Sequence, residues 1–395
     1  MRSMTSWITR VLALAAAGIA VASAQPLIVG GTVSQSGALA DLAADYRKAL
    51  LLWQEQVNGA GGIGGRPVEL KLLDDASEAI QVGKLYLQLI GERAEVLIGP
   101  YGSAASLMAS AEAESARRVI VNGAAASGAL HKRSPRYVFQ AGIPYSAYGT
   151  GVLQLAKAAG YRKVFIITRD DLAPREMAQT TREAALKLGL ETGELEIHAG
   201  GNTDFTLQIA KARAMGAEAW IAFGEARDAA EMVKTFRRLD YAPRLFFARA
   251  AADPKFVSYV GQDAEFTLAA LEYAPRLPTP GNDKFVKAFA AKWSAPPGSA
   301  AAEGYAAATV LGEALRRVGT DQQKLREVLS SSAVPTVLGE YRVDPKTGEQ
   351  IAAKAAVVQI MKGRPELVWP DAENAKRVLP YPRWSERRPL KNERR

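Results

Sequence analysis

Val57-Asn58-Gly59-Ala60-Gly61-Gly62-Ile63-Gly64-Gly65-Arg66-Pro67 joins two segments of different hydrophobic period, and that junction decides the fold class. Before it, Leu42, Tyr46, Leu50, Trp53 and Val57 recur at helical spacing along one face of Asp41 to Val57. After it, Val68 to Leu73 reads as a strand ending in Asp74-Asp75. Gly59 to Gly64 fits G-x-G-x-x-G, the nucleotide-binding fingerprint. That fingerprint needs a strand before it and a helix N-terminus after it, so that backbone amides point at a pyrophosphate. Here the order is reversed. The glycines are read as a helix C-cap and a tight helix-to-strand turn.

The same alternation runs outward from this turn. Leu27-Ile28-Val29, Glu95 to Ile98 and Arg118 to Val121 are strand candidates, interleaved with helical patterns at Gln81 to Ile90 and Ala104 to Ala116. The pattern breaks near Gly142-Ile143-Pro144-Tyr145 and restarts. Strands then follow at Lys163 to Thr168, Glu194 to Ile197, Ala219 to Phe223 and Arg244 to Phe247, with helices at Arg175 to Leu188 and Asp228 to Leu239. Beyond the Pro/Gly-rich Leu277 to Asp283 come helices at Asp283 to Trp293 and Ala301 to Val318, then a strand at Ala355 to Met361. Short apolar strands alternating with amphipathic helices imply parallel sheets covered on both faces. The fold class is α/β, with two lobes and a returning C-terminal portion.

Residues 1–24 carry a different signal. Arg2 and Arg10 form a basic start, Val11 to Val21 an apolar run, and Ala22-Ser23-Ala24 a small-residue cleavage site. The run is shorter than the roughly 20 residues a membrane-spanning helix needs. A cleaved signal peptide ending at Ala24, and work in the periplasm, are expected. No cysteine follows the cleavage site to carry a lipid, so a freely diffusing protein is expected. The chain has no cysteine at all, which removes disulfides, thiolate metal sites and cysteine nucleophiles.

The net charge of +9 invites a nucleic-acid reading, but its distribution argues otherwise. Residues 383–395 alone carry a net +4 and read as a solvated, frayed basic tail, leaving +3 on residues 25–382. Nucleic-acid binding needs a basic face on the fold itself. With only His131 and His198, and no carboxylate spacing around them, no metal site is expected. His131 reads as a solvated loop histidine. Gly31-Thr32-Val33-Ser34-Gln35-Ser36-Gly37 misses the spacing of a serine nucleophile elbow. Asp74 and Asp75 are adjacent, so they point to opposite sides, and a turn or capping role is expected.

Two small-residue loops carry the functional expectation. Gly99-Pro100-Tyr101-Gly102-Ser103-Ala104-Ala105 follows one strand and opens a helix; Asn122-Gly123-Ala124-Ala125-Ala126-Ser127-Gly128 follows the next strand. In an open α/β sheet the crevice beyond the carboxyl ends of strands takes the ligand. Small side chains let backbone amides approach it, and Ser103 adds a hydroxyl near a helix N-terminus, a combination suited to a carboxylate. The competing reading is two tight connections without a ligand.

These residues resemble the periplasmic type I solute-binding proteins, specifically the branched-chain amino-acid-binding family of ABC transporters. The resemblance spans about Leu27 to Asp344. Its marks are Gly31 to Gly37, the Val57 to Pro67 turn with Asp74-Asp75, Ile98-Gly99-Pro100-Tyr101-Gly102-Ser103, Asp204-Phe205 and Gly304-Tyr305. The resemblance implies that Ser103, flanked by Tyr101 and Gly102, bonds a ligand carboxylate together with the backbone at Ala124. The family threonine two residues later falls on Ala126, which removes a hydroxyl donor. The family acid that pairs with a ligand ammonium should follow Leu245-Phe246-Phe247, where this chain has Ala248-Arg249-Ala250-Ala251, a base and no acid. The expected second-lobe aromatic near Asp171 falls on Leu172-Ala173. Glu225 offers a replacement acid, against its plain reading as a solvated helix start.

The resemblance implies two Rossmann-like lobes joined by crossover strands. Lobe 1 is expected over 25–144 plus 275–352, and lobe 2 over 145–274 plus 353–382. The expected function is not enzymatic. It is capture of a carboxylate-bearing amino acid or organic acid on Ser103 and the Ala124–Ala126 loop, followed by closure of Arg169, Glu225 or Arg249 onto it. No cofactor is expected; the expected partners are ABC permease subunits, and the expected state is a monomer. A ligand-sensing module serving a receptor or enzyme partner is the alternative.

Overall fold

The computed structural model describes residues 25–370 and 376–387. The expected signal peptide and residues 388–395 of the expected tail lie outside the described residues. The first sheet is wholly parallel. It comprises β1 (Leu27–Thr32), β2 (Val68–Leu73), β3 (Val96–Ile98), β4 (Ile120–Asn122) and β5 (Val138–Gln140), in the order β2-β1-β3-β4-β5. Helices α1 (Ala40–Gly59), α2 (Ala79–Gly91) and α3 (Ser103–Ser115) cover it. The turn after α1 takes the expected form. Ile63 and Arg66 pair across it, and at Gly62 (φ 79°) a Cβ would lie 2.0 Å from the Arg66 carbonyl oxygen. Helix α1 buries Tyr46, Leu50, Trp53 and Val57 as its spacing predicts, but Leu42 in its first turn is exposed.

The second sheet follows α4 (Thr150–Ala158) and is built on β6 (Lys163–Arg169), α5 (Leu172–Lys187), β7 (Glu191–Thr192), β8 (Glu196–His198) and α6 (Thr206–Met215). It continues through β9 (Ala219–Phe223), α7 (Ala226–Arg238), β10 (Leu245–Ala248), α8 (Pro254–Val260) and β11 (Leu268–Leu271). The strands from β6 to β11 are parallel, with β7 and β8 both pairing β6. Strands β5 and β11 are absent from the sequence reading because runs of three or four residues between irregular loops show no period.

The chain then returns. Helix α9 (Asn282–Trp293) leads to α10 (Ser299–Val318), whose Ala307, Leu311 and Leu315 share a core with Tyr46, Leu50 and Trp53 of α1. Small residues make this close packing possible: a Cβ on Gly304 would lie 2.9 Å from the Tyr46 carbonyl oxygen. Helix α11 (Gln322–Ser331) and the antiparallel pair β12 (Val334–Thr336) and β13 (Gly339–Tyr341) complete this return. Strands β14 (Ala356–Met361) and β15 (Arg364–Trp369) then add an antiparallel edge to the second sheet. The two sheets are therefore linked after β5, after β11 and before β14, which makes two lobes with crossover connections.

The expectation of a frayed basic tail fails at its first residues. Arg387 stacks on Trp384 at 3.8 Å and on Tyr381 at 4.2 Å, and the Tyr381 amide donates to the Arg244 carbonyl at 2.7 Å. A guanidinium gains from an aromatic face, so this segment is packed. Among the described residues no helix is long and apolar enough to cross a membrane.

Candidate functional site

The rim of the first sheet is assembled by short side chains. Asp75, buried, accepts from Thr32 Oγ1 at 2.7 Å and Ser34 Oγ at 2.5 Å, while Asp74 accepts from the Gln35 amide at 2.8 Å and Ser36 Oγ at 2.9 Å. The acid pair thus pins the loop after β1 from two sides, the turn role expected of it. Beyond β3, Tyr101 packs edge-on against Tyr46, ring centroids 6.2 Å apart, and the Gly102 amide donates to the Ala124 carbonyl at 2.9 Å. Ser103 opens α3, and its Oγ accepts from the amides of Ala126 (3.2 Å) and Ser127 (3.3 Å). Ser103 therefore joins the two expected ligand loops. Two of the amides that the sequence leaves open are already used by it, and the same hydroxyl also bonds the Tyr145 phenol.

The rim of the second sheet is charged. Arg169, ending β6, pairs with Asp171 at 2.5 Å and Glu225 at 2.8 Å, with Asp228 at 3.8 Å. Glu225 heads α7, where its amide donates to Asp228 Oδ2 at 2.8 Å. Arg169 and Glu225 are thus partners of each other, and Glu225 lines one depression with Asp228 and Arg249. Arg249, just past β10, donates to Glu272 Oε1 at 2.9 Å and lies 5.5 Å from the ring centre of Tyr148. The Tyr148 hydroxyl donates to the same Glu272 oxygen at 2.6 Å. Burial pushes the Glu272 carboxyl up, but Arg249 and the Tyr148 bond outweigh it and hold the group below the usual carboxylate value.

Both rims meet in one cleft. The Tyr145 phenol faces the Ser103 hydroxyl, and its amide donates to the Ala126 carbonyl at 2.8 Å. Burial, then Glu303 and Glu272, push the Tyr101 phenol up to about 12, with Arg249 opposing. Second-lobe charges therefore act on a first-lobe ring. Glu176 of α5 reaches across to Ser127 and Gly128.

Of the expected residues, Tyr101, Gly102, Ser103, Ala124 and Ala126 lie together at the first rim, and Arg249 acts across the cleft on Tyr101. Arg169 and Glu225 form their own cluster beside Arg249. The sequence reading misses Glu272, Glu303, Tyr145, Tyr148 and Glu176. Glu272 follows the unrecognised strand β11, so no spacing announces it; Glu303 directly precedes Gly304-Tyr305. Acidic groups near Arg249 and Tyr101 thus come from elsewhere in the chain, as Glu272 and Glu303. His131 is a correction: it is buried, with Nδ1 2.8 Å from the Thr347 carbonyl, because the loop before β14 covers it. Among the described residues no group of three or more His, Cys, Asp or Glu is placed to hold a metal.

Residues 26–365 match the family described as periplasmic binding protein. A Pseudomonas aeruginosa protein named an amino acid binding protein is 26% identical over 350 residues, covering 85% of this chain and 91% of that one. An ABC transporter substrate-binding protein from Desulfitobacterium hafniense, solved in complex with Leu, superposes with TM-score 0.72 at 22% identity, covering 87% of this chain and 100% of that one. A solute-binding protein of an R. palustris ABC transporter, solved with benzoate, gives TM-score 0.64 at 20% identity, covering 87% and 95%.

Proposed function

The chain belongs to the periplasmic binding proteins, is not an enzyme, and on that premise we propose that it captures a small carboxylate-bearing ligand between its lobes for an ABC importer. The ligand class is an amino acid or an organic acid, since relatives of this fold are named for or solved with both. The observation that carries this reading is the opposition of two rims. Ser103 and the Ala124–Ser127 loop face, across Tyr101, the Arg249–Glu272 pair. Ser103 turns its hydroxyl proton from the Tyr145 phenol to a ligand carboxylate at the start of α3, where the helix end favours negative charge. Binding makes and breaks no covalent bond. It favours the closed arrangement of lobe 1 (25–144 plus 275–352) on lobe 2 (145–274 plus 353–382), with Arg249 and the Arg169–Glu225 cluster moving on the second lobe. Export after cleavage at Ala24 delivers a freely diffusing monomer, and permease subunits receive the closed form.

Calorimetry with the twenty amino acids and a set of aromatic and aliphatic acids tests the reading. Ser103→Ala is expected to weaken whichever carboxylate binds by about tenfold or more, or ~1.4 kcal/mol, in a chain that still folds, with a thermal stability loss of at most about 1–3 kcal/mol from the stranded Ala126 and Ser127 amides. Unchanged affinity in that variant contradicts the site.

A further inference from the structure

Glu303 has no salt-bridge partner among the described residues, and Arg249 only partly offsets its charge. It lies near the start of α10, four residues after Ser299, so the two share a helix face. Ser299 Oγ is 3.5 Å from Glu272 Oε2, which sets Glu303 beside the Arg249–Glu272 pair. Its backbone backs the ligand loop: a Cβ on Gly123 would lie 2.4 Å from the Glu303 carbonyl oxygen, so only glycine lets that loop rest on α10. The charged and titratable groups facing it are Glu272 and Arg249 from the second sheet, Tyr101 after β3, Tyr46 of α1 and Tyr148 from the crossover.

Arg249 is paired with Glu272 at 2.9 Å, and the two charges cancel. Glu303 has no ion-pair partner among the described residues, so its ionised form adds a negative charge that the Arg249–Glu272 pair does not cancel. A monoanionic ligand gives the Glu303 carboxylate no partner and is accommodated only while Glu303 keeps its proton, because like charges repel strongly in a poorly hydrated space. A ligand that also bears a cation would supply the missing partner. We propose that Glu303 is a specificity-determining residue, selecting ligands that carry an ammonium or amidinium group in addition to the carboxylate held at Ser103. This rests on the cleft being the ligand site. It moves the cation-binding acid from the end of β10, where Arg249 stands, to α10 on the opposite lobe.

A consequence is proton release. Burial, and secondarily Glu272, push the Glu303 carboxyl well above its ordinary value, with Arg249 only partly opposing. The empty cleft therefore holds a proton that an incoming cation displaces.

The test is calorimetry of the full mature chain with each amino acid against its deaminated monoanion, for example L-leucine against 4-methylpentanoate and L-phenylalanine against 3-phenylpropanoate. Runs in buffers of different ionisation enthalpy count the protons released. The wild type is expected to prefer the zwitterion at least tenfold and to release a proton on binding it. Glu303→Gln should lose both the preference and the proton release. The wild type alone gives a second readout: its preference should shrink as pH falls from 8 to 5. Equal or tighter binding of the monoanion by the wild type, or a preference retained in Glu303→Gln, overturns the proposal and leaves the carboxylate cleft standing. Binding of no carboxylate from either set overturns both.

Discussion

Glu176, on α5 of the second lobe, accepts a hydrogen bond from the Gly128 amide of the first lobe at 2.6 Å. Its other oxygen accepts from the Ser127 hydroxyl at 2.8 Å. This carboxylate ties the lobes together at the loop that Ser103 organises. Bonds to a charged acceptor contribute about 1.5–3 kcal/mol each when partly buried, enough to bias an open–closed equilibrium appreciably. Glu176→Ala is therefore expected to raise the radius of gyration of the ligand-free chain in small-angle X-ray scattering and to weaken ligand binding about five- to thirtyfold. An unchanged scattering curve and affinity would show that the contact does not hold the lobes.

The Arg249–Glu272 pair should behave as a unit. Arg249→Met leaves Glu272 and the Tyr148 hydroxyl without their cation, and is expected to destabilise the fold by about 1–3 kcal/mol. Adding Glu272→Gln should recover most of that loss, because position 272 then carries no charge left without its cation. Chemical denaturation of the two single variants and the double variant measures the coupling. Strictly additive effects would mean that the pair is not coupled.

Acid dependence follows from Glu303. Its carboxyl is raised by burial and by Glu272, so the folded chain holds a proton that the unfolded chain releases above the ordinary value of 4.5. The stability this group lends is complete below 4.5 and is lost as pH rises toward the elevated folded value. Glu303→Gln removes that pH-dependent loss. The ligand-free variant should gain thermal stability over wild type at pH 8, with the gain shrinking toward pH 4.5. A difference in melting temperature that does not vary with pH contradicts this assignment.

Asp75 is buried and bonded to Thr32 and Ser34, whereas Asp74 is exposed. Asp75→Asn is expected to cost about 1–3 kcal/mol by stranding one of those hydroxyls. Asp74→Asn should cost under about 1 kcal/mol at the surface. Urea unfolding of both variants checks the order, which equal losses would contradict.

The first rim is legible in the sequence because it is local. Gly99 to Ser103 and Asn122 to Gly128 each follow a strand, and strand ends on one sheet edge share a crevice whatever the loops contain. The second rim is legible only where a single residue stands out, as Arg249 does. Glu272 and Glu303 are separated by 31 positions and come from different lobes; only the fold brings them to one charge cluster. Tyr145 and Tyr148 sit in the crossover, where neither helical nor strand period reports direction. His131 misleads for the same reason: its small-residue loop shows no period, and its cover comes from Thr347, 216 residues away.

Mass spectrometry of the small molecule retained by natively purified mature chain tests the central claim most directly. One carboxylate-bearing molecule per chain, retained by wild type and lost from Ser103→Ala, is the result expected. A retained molecule without a carboxylate, or equal retention by Ser103→Ala, would contradict it.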